Sequence, residues 1–166
     1  KYLPKYASGE WISCFCLTEP EAGSDAASLR TTARRDGDHY VINGTKRYIT
    51  NAPVAHTFNV MARTDPEVKG ARGISSFIVE RDTPGITLGS IDKKMGQSGS
   101  MTCDVIFEDV RVPAENIIGE EGEGFITAMK VLDRGRLHIS GVSIGVAKRL
   151  IADALDYAMQ RKQFGQ

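Results

Sequence analysis

The sequence predicts an α+β chain: an antiparallel β-barrel or sandwich, then a long helical segment belonging to an incomplete helical bundle. Three observations lead there. Residues up to about Pro113 carry turn dipeptides between short β-prone runs, the texture of an all-β layer. Residues Phe125–Arg161 contain no proline and place apolar side chains at helical spacing, as in Leu150, Ile151, Ala154, Leu155 and Ala158. Strands and helices do not alternate, which disfavours a doubly wound parallel sheet.

Taken in order, runs Leu29–Arg35, His39–Ile42 and Thr45–Thr50 are separated by Asp36-Gly37-Asp38 and Asn43-Gly44. Asp-Gly and Asn-Gly suit turns that need positive φ, so two successive hairpins are expected. Further strands are expected at Thr57–Arg63, Ile74–Glu80, Ile86–Ile91 and Thr102–Val110, broken by Asp65-Pro66, Thr83-Pro84-Gly85 and Gly96–Ser100. Gly119–Gly124 is a hinge-like connector. Its glycines suggest a phosphate loop, but its three glutamates would repel a phosphate. The domain division is therefore expected at residues 1–118 and 119–166. A continuous helix from Phe125 to Arg161 would be roughly 55 Å long, too long for the β segment to cover. Gly141 and Gly145 stand four apart, which fits either close approach of another helix or a kink near Ser140–Gly145.

The 166 residues (18.1 kDa) suffice for one domain, or one domain and part of another. With 41% hydrophobic and 25% charged residues the chain is neither disordered nor fibrous in composition. No apolar run reaches the ~18–20 residues of a membrane span, and Lys1–Tyr6 has no apolar run behind its charges, so no signal peptide is expected. Lysine plus arginine and aspartate plus glutamate both total 21, which argues against nucleic-acid binding through a basic surface. The balance is uneven: from Gly122 onward seven basic residues face four acidic ones, a net +3, leaving −3 before it. This basic segment is either a solvated helix surface or the partner of an anionic ligand.

Cys14, Cys16 and Cys103 form no disulfide framework, which favours a reducing compartment. Cys14 and Cys16 would share one strand face as core fillers. His39, His56 and His138 are scattered, so neither a metal site nor a Ser-His-Asp triad is expected.

The segment Cys16-Leu17-Thr18-Glu19-Pro20-Glu21-Ala22-Gly23-Ser24-Asp25 resembles the signature of the acyl-CoA dehydrogenase family. Three further stretches match in family order: Asn43–Asn51, Phe107–Pro113 and Arg161–Gly165. The resemblance covers the family's middle β-domain and the opening helix of its C-terminal helical domain. It implies FAD as cofactor, held by Phe15, Cys16, Leu17, Thr18, Ser24, Tyr48, Ile49 and Thr50. The backbone and hydroxyl around Phe15, Leu17 and Thr18 would face the N1, O2 and N5 edge of the ring and Thr50 would supply a hydroxyl near N5, while Tyr48 walls the ring where the family often has tryptophan. Arg161 and Phe164 would reach the FAD pyrophosphate of a neighbouring subunit. Ser24, Asp133 and Arg136 would contact the coenzyme A part of an acyl-CoA substrate. Taken locally, Ser24 is also a sensible turn or helix cap, and Asp133 and Arg136 an ordinary ion pair.

The resemblance implies an FAD-dependent oxidoreductase that introduces an α,β double bond into an acyl-CoA thioester. No residue of this chain is assigned as the catalytic base. Most of the family places that glutamate beyond the point matching Gln166; a minority place it where this chain has Gly135, which has no side chain to serve. Glu19, just before Pro20, is read as structural. An acyl-CoA oxidase and a non-catalytic flavin- or acyl-CoA-binding member are the alternatives. Electron transfer flavoprotein as acceptor, a homotetramer built as a dimer of dimers, and a bacterial cytoplasmic or mitochondrial matrix location are implied by the family alone.

Overall fold

The computed structural model describes residues 1–166. Contacts divide it into two units, Lys1–Ile126 and Thr127–Gln166. The first holds the short helix α1 (Leu3–Ala7) and seven strands: β1 (Ser13–Cys16), β2 (Thr32–Asp36), β3 (His39–Thr50), β4 (Thr57–Arg63), β5 (Ile74–Glu80), β6 (Ile86–Leu88) and β7 (Thr102–Pro113). The second is most of helix α2 (Gly124–Gln160) and the residues after it.

The strands form one curled sheet in the order β1-β4-β2-β3-β7-β6, with β5 paired to the other side of β4. Most pairings are antiparallel, as expected, but β1 runs parallel to β4 from Ser13↔Thr57 to Cys16↔Val60. The whole β2–β3 hairpin lies between these two strands in sequence, so the chain crosses over before β4 joins β1. Alternating side chains of the strands meet in one core that includes Cys16, Ile42, Ile49, Phe58, Val60, Phe77, Val105 and Phe107. Cys14 and Cys16 share its inner face with their sulfurs 3.8 Å apart, and burial pushes the Cys16 thiol well up.

The first expected hairpin forms, with Asp36 paired to His39 around Gly37. The second does not. Asn43-Gly44 lies inside the unbroken strand β3, opposite a bulge in β7 where Asp109 adopts φ +50°. Asn43 grips that bulge, accepting from the Asp109 N–H at 2.8 Å and donating to its carboxylate at 3.1 Å. Gly44 serves a close approach rather than a turn, because a Cβ there would lie 2.4 Å from Thr31 Oγ1.

The connector before α2 is fastened to the sheet rather than hinge-like. Ile118 N–H donates to Ser76 O and Gly122 N–H to Ser75 Oγ, while Tyr40 Oη donates to Glu121 at 2.7 Å. A Cβ on Gly124 would lie 2.4 Å from the Ser75–Ser76 backbone, so this glycine lets the connector lie directly on β5. Helix α2 runs unbroken for 37 residues. Ser140 and Ser143 return their hydroxyls to Arg136 O and Ile139 O without interrupting it.

Candidate functional site

The site is built where the segment after β1 meets β3. Thr18 O accepts from Arg47 N–H at 2.8 Å, and Leu17 O accepts from Lys46 Nζ at 3.2 Å. Two stretches almost thirty residues apart are thereby stitched together at consecutive positions of β3.

Strand alternation turns Lys46 inward, in phase with Ile42, and it is wholly buried. Glu19 answers it at 2.8 Å and also accepts from Arg30 N–H, Thr31 N–H and the Thr31 hydroxyl. Burial alone would raise the Glu19 carboxyl. The Lys46 charge and these hydrogen bonds outweigh that and hold it below its ordinary value. Burial depresses the Lys46 ammonium, against the opposing pull of Glu19.

Past Lys46 the phase of the strand changes. Lys46 pairs with Val105 and Ile49 with Cys103, so β3 holds one extra residue there. Tyr48 takes up the extra residue in a left-handed conformation, φ +59°. As a result Ile49 points into the core, while Tyr48 (63% exposed) and Thr50 face outward. Arg47 backs the aromatic ring, its guanidinium carbon 4.6 Å from the ring centroid. Both oxygens of Asp104 in turn accept from Arg47 Nη1 at 2.7 Å.

Among the residues singled out from sequence, Thr18, Tyr48 and Thr50 lie on this ledge with side chains at least partly exposed, and Phe15 is half-buried on β1. Cys16, Leu17 and Ile49 are buried, so they can offer a ligand only their backbone. Ser24 is exposed in the loop before the Asp25–Leu29 turn. In the helical unit Asp133 and Arg136 form an exposed ion pair at 2.9 Å. Arg161 donates to the Tyr157 hydroxyl at 3.0 Å, and Phe164 is exposed with φ +53°.

Sequence reasoning passed over Lys46 and Arg47. The available signal was phase: a lysine four residues after Ile42 in one strand falls on the core face, where a partner carboxylate is required. The ledge itself suits a flavin ring. It offers a flat aromatic surface at Tyr48 and hydroxyls at Thr18 and Thr50, and the Thr18 N–H has no acceptor within the chain.

This curled sheet with a stitched aromatic-and-hydroxyl ledge, followed by one long helix, matches a single enzyme family along nearly all of its length. Residues 14–110 match the family description "Acyl-CoA dehydrogenase, middle domain" and residues 122–166 match "Acyl-CoA dehydrogenase, C-terminal domain". The chain belongs to the acyl-CoA dehydrogenase family. It is 48% identical over its full length to the short-chain specific acyl-CoA dehydrogenase of Clostridium acetobutylicum, of which it spans 44%. Identity is also 48% to the caffeyl-CoA reductase-Etf complex subunit CarC of Acetobacterium woodii, again over the whole chain and 44% of the relative. The structure of butyryl-CoA dehydrogenase from Megasphaera elsdenii superposes with a TM-score of 0.95 at 44% identity, covering 99% of this chain and 43% of that one. The chain thus spans less than half the length of these relatives.

Proposed function

We propose that this chain is the flavin- and coenzyme A-contacting part of an FAD-dependent acyl-CoA dehydrogenase, acting within a longer polypeptide and divided into domains at residues 118 and 119. The observation that carries this reading is the joining of the Cys16–Asp25 and Asn43–Asn51 stretches by the Thr18–Arg47 and Glu19–Lys46 bonds. It puts the hydroxyl and aromatic groups that suit an isoalloxazine ring on adjoining backbone.

In this reading Thr18 and Thr50 donate to the edge of the ring on which charge gathers, and Tyr48 covers a face of it. Phe15, Cys16, Leu17 and Ile49 complete the slot, the last three through backbone. Ser24, with the closely approachable Gly23 backbone, meets the flavin phosphates and coenzyme A. Asp133 and Arg136 bind coenzyme A, and Arg161 with Phe164 takes the FAD pyrophosphate of a neighbouring subunit. The flavin supplies a hydride acceptor for the substrate β-carbon. The base that removes the α-proton lies outside this chain, since Gly135 has no side chain and Glu19 is fully occupied by Lys46, Arg30 and Thr31.

Electron transfer flavoprotein is the proposed acceptor, supported by the Etf-complex relative. A tetramer made as a dimer of dimers, in a bacterial cytoplasm or a mitochondrial matrix, completes the proposal. The test is anaerobic titration of the purified full-length protein with straight-chain acyl-CoA thioesters. Bleaching of a bound flavin spectrum, with turnover through an artificial acceptor, is expected; a colourless protein overturns the reading. Slow reoxidation of the reduced protein in air marks a dehydrogenase, and fast reoxidation an oxidase.

A further inference from the structure

One buried cation governs how the two stretches meet. Lys46 Nζ donates to Leu17 O at 3.2 Å and to Glu19 Oε1 at 2.8 Å. Glu19 is further held by Arg30 N–H at 2.6 Å, Thr31 N–H at 3.0 Å and Thr31 Oγ1 at 2.5 Å. With its acceptors filled in this way, the carboxylate is not poised to take a proton or a ligand.

What the pair does hold is a single peptide unit. The Leu17–Thr18 peptide receives the ammonium at its carbonyl, and its N–H, which belongs to Thr18, has no acceptor in the chain. A charge-assisted hydrogen bond at the carbonyl polarises the whole amide and strengthens its N–H as a donor. The following carbonyl, Thr18 O, is fixed by Arg47 N–H at 2.8 Å. Consecutive residues of β3 therefore clamp both peptide units around Thr18. A gain in stability is weak grounds for such an arrangement, since a buried ion pair is often no more stabilising than apolar residues of the same volume.

We propose that Lys46, locked in place by Glu19, is a positioning residue that aims and strengthens the Thr18 N–H as a donor to the flavin ring. The proposal rests on the flavin reading given above. Donors strengthened at the edge where negative charge accumulates favour the reduced flavin, so Lys46 raises its reduction potential.

The experiment measures the two-electron potential and visible spectrum of the flavin in the full-length protein. The variants are Lys46→Met/Glu19→Gln, which leaves no unpaired buried charge, and Lys46→Gln, which keeps a neutral donor. Tyr40→Phe is the comparator, because it removes the bond to Glu121 without touching the Leu17–Thr18 peptide. The double variant is expected to shift the equilibrium about tenfold towards oxidised flavin, about 30 mV for a two-electron couple. Lys46→Gln shifts it the same way by less, and Tyr40→Phe lowers thermal stability without moving the potential. Loss of flavin from either Lys46 variant with unchanged circular dichroism also supports the proposal. Should the double variant not fold, Lys46→Gln carries the test. Bound flavin at the unaltered potential in the folded Lys46 variants overturns the role given to Lys46. An unaltered protein without flavin overturns the functional reading instead.

Discussion

Arg47 and Asp104 form a forked ion pair on neighbouring strands, with Nη1 at 2.7 Å from both carboxylate oxygens, and the same guanidinium lies against the Tyr48 ring. Hydrogen bonding to Asp104 is the main cause that raises the Arg47 pKa. The geometry matters because Tyr48 is otherwise an exposed side chain on a left-handed residue. Asp104→Ala is expected to leave thermal stability almost unchanged, as for other partly exposed ion pairs. It should weaken flavin binding severalfold by freeing the ring support. Fluorescence titration of the apoprotein with FAD, beside thermal unfolding, checks both halves. Equal losses in both measurements would make Arg47 a stability residue only.

Glu19 gives the fold an acid-sensitive component. Its folded pKa lies below the ordinary 4.5, so below that value the unfolded chain binds the proton more readily than the folded one. The stability it contributes is full above pH 4.5 and is lost as pH falls through the folded value. Glu19→Gln leaves Lys46 buried beside a neutral partner, which at pH 7 is expected to cost about 3 kcal/mol. That gap should narrow as pH falls below 4.5. Urea unfolding of both proteins from pH 7 down to pH 3 measures it; a gap independent of pH would show that the charge of Glu19 is not what stabilises.

Much of this was legible in the sequence because period-2 alternation and turn dipeptides are local signals. They delimited β4 and β5, and the proline-free stretch delimited α2 to within a residue at each end. The parallel β1–β4 pair was hidden because pairing partners 44 residues apart leave no local trace. Asn43-Gly44 misled for a physical reason: a bulge in the partner strand needs the same permissive residues as a hairpin turn. The Thr18–Tyr48–Thr50 ledge came from motif resemblance. Glu19 was legible as structural, but its partner Lys46 and the Arg47–Asp104 pair were not: a break assumed at Asn43-Gly44 hid that Lys46 continues the inward phase of Ile42, and Asp104 lies on a strand 57 residues from Arg47.

The bulge also yields a test of Gly44. A methyl group there would meet Thr31 Oγ1 at 2.4 Å and Thr31 Cα at 2.7 Å, and the residue sits at φ +152°. Gly44→Ala therefore forces β3 away from the Thr31 backbone whose N–H holds Glu19. A loss of about 1–3 kcal/mol is expected from the overpacking, and Gly37→Ala serves as a reference for positive-φ strain alone because nothing lies near its Cβ. Denaturant midpoints of the two variants decide it, with Gly44→Ala the more damaging.

Helix α2 leaves Leu137, Ile139, Leu150, Ile151 and Leu155 largely exposed in this chain. An isolated 37-residue helix with so much apolar surface is expected to self-associate, because burying even one such side chain contributes about 1.5–3 kcal/mol. Gly141 and Gly145 meet nothing within 4 Å here. The helix is unbroken through them, so no kink explains them, and close approach of another helix remains the expectation to test. Gly141→Ala should therefore stabilise the 166-residue chain by about 1 kcal/mol through helix propensity. In the full-length protein the same substitution should destabilise, because the added methyl would occupy space a neighbouring helix needs. Sedimentation of the chain at several concentrations, and thermal unfolding of both lengths with and without Gly141→Ala, give the answer. Stabilisation in both would mean that no helix packs against that face.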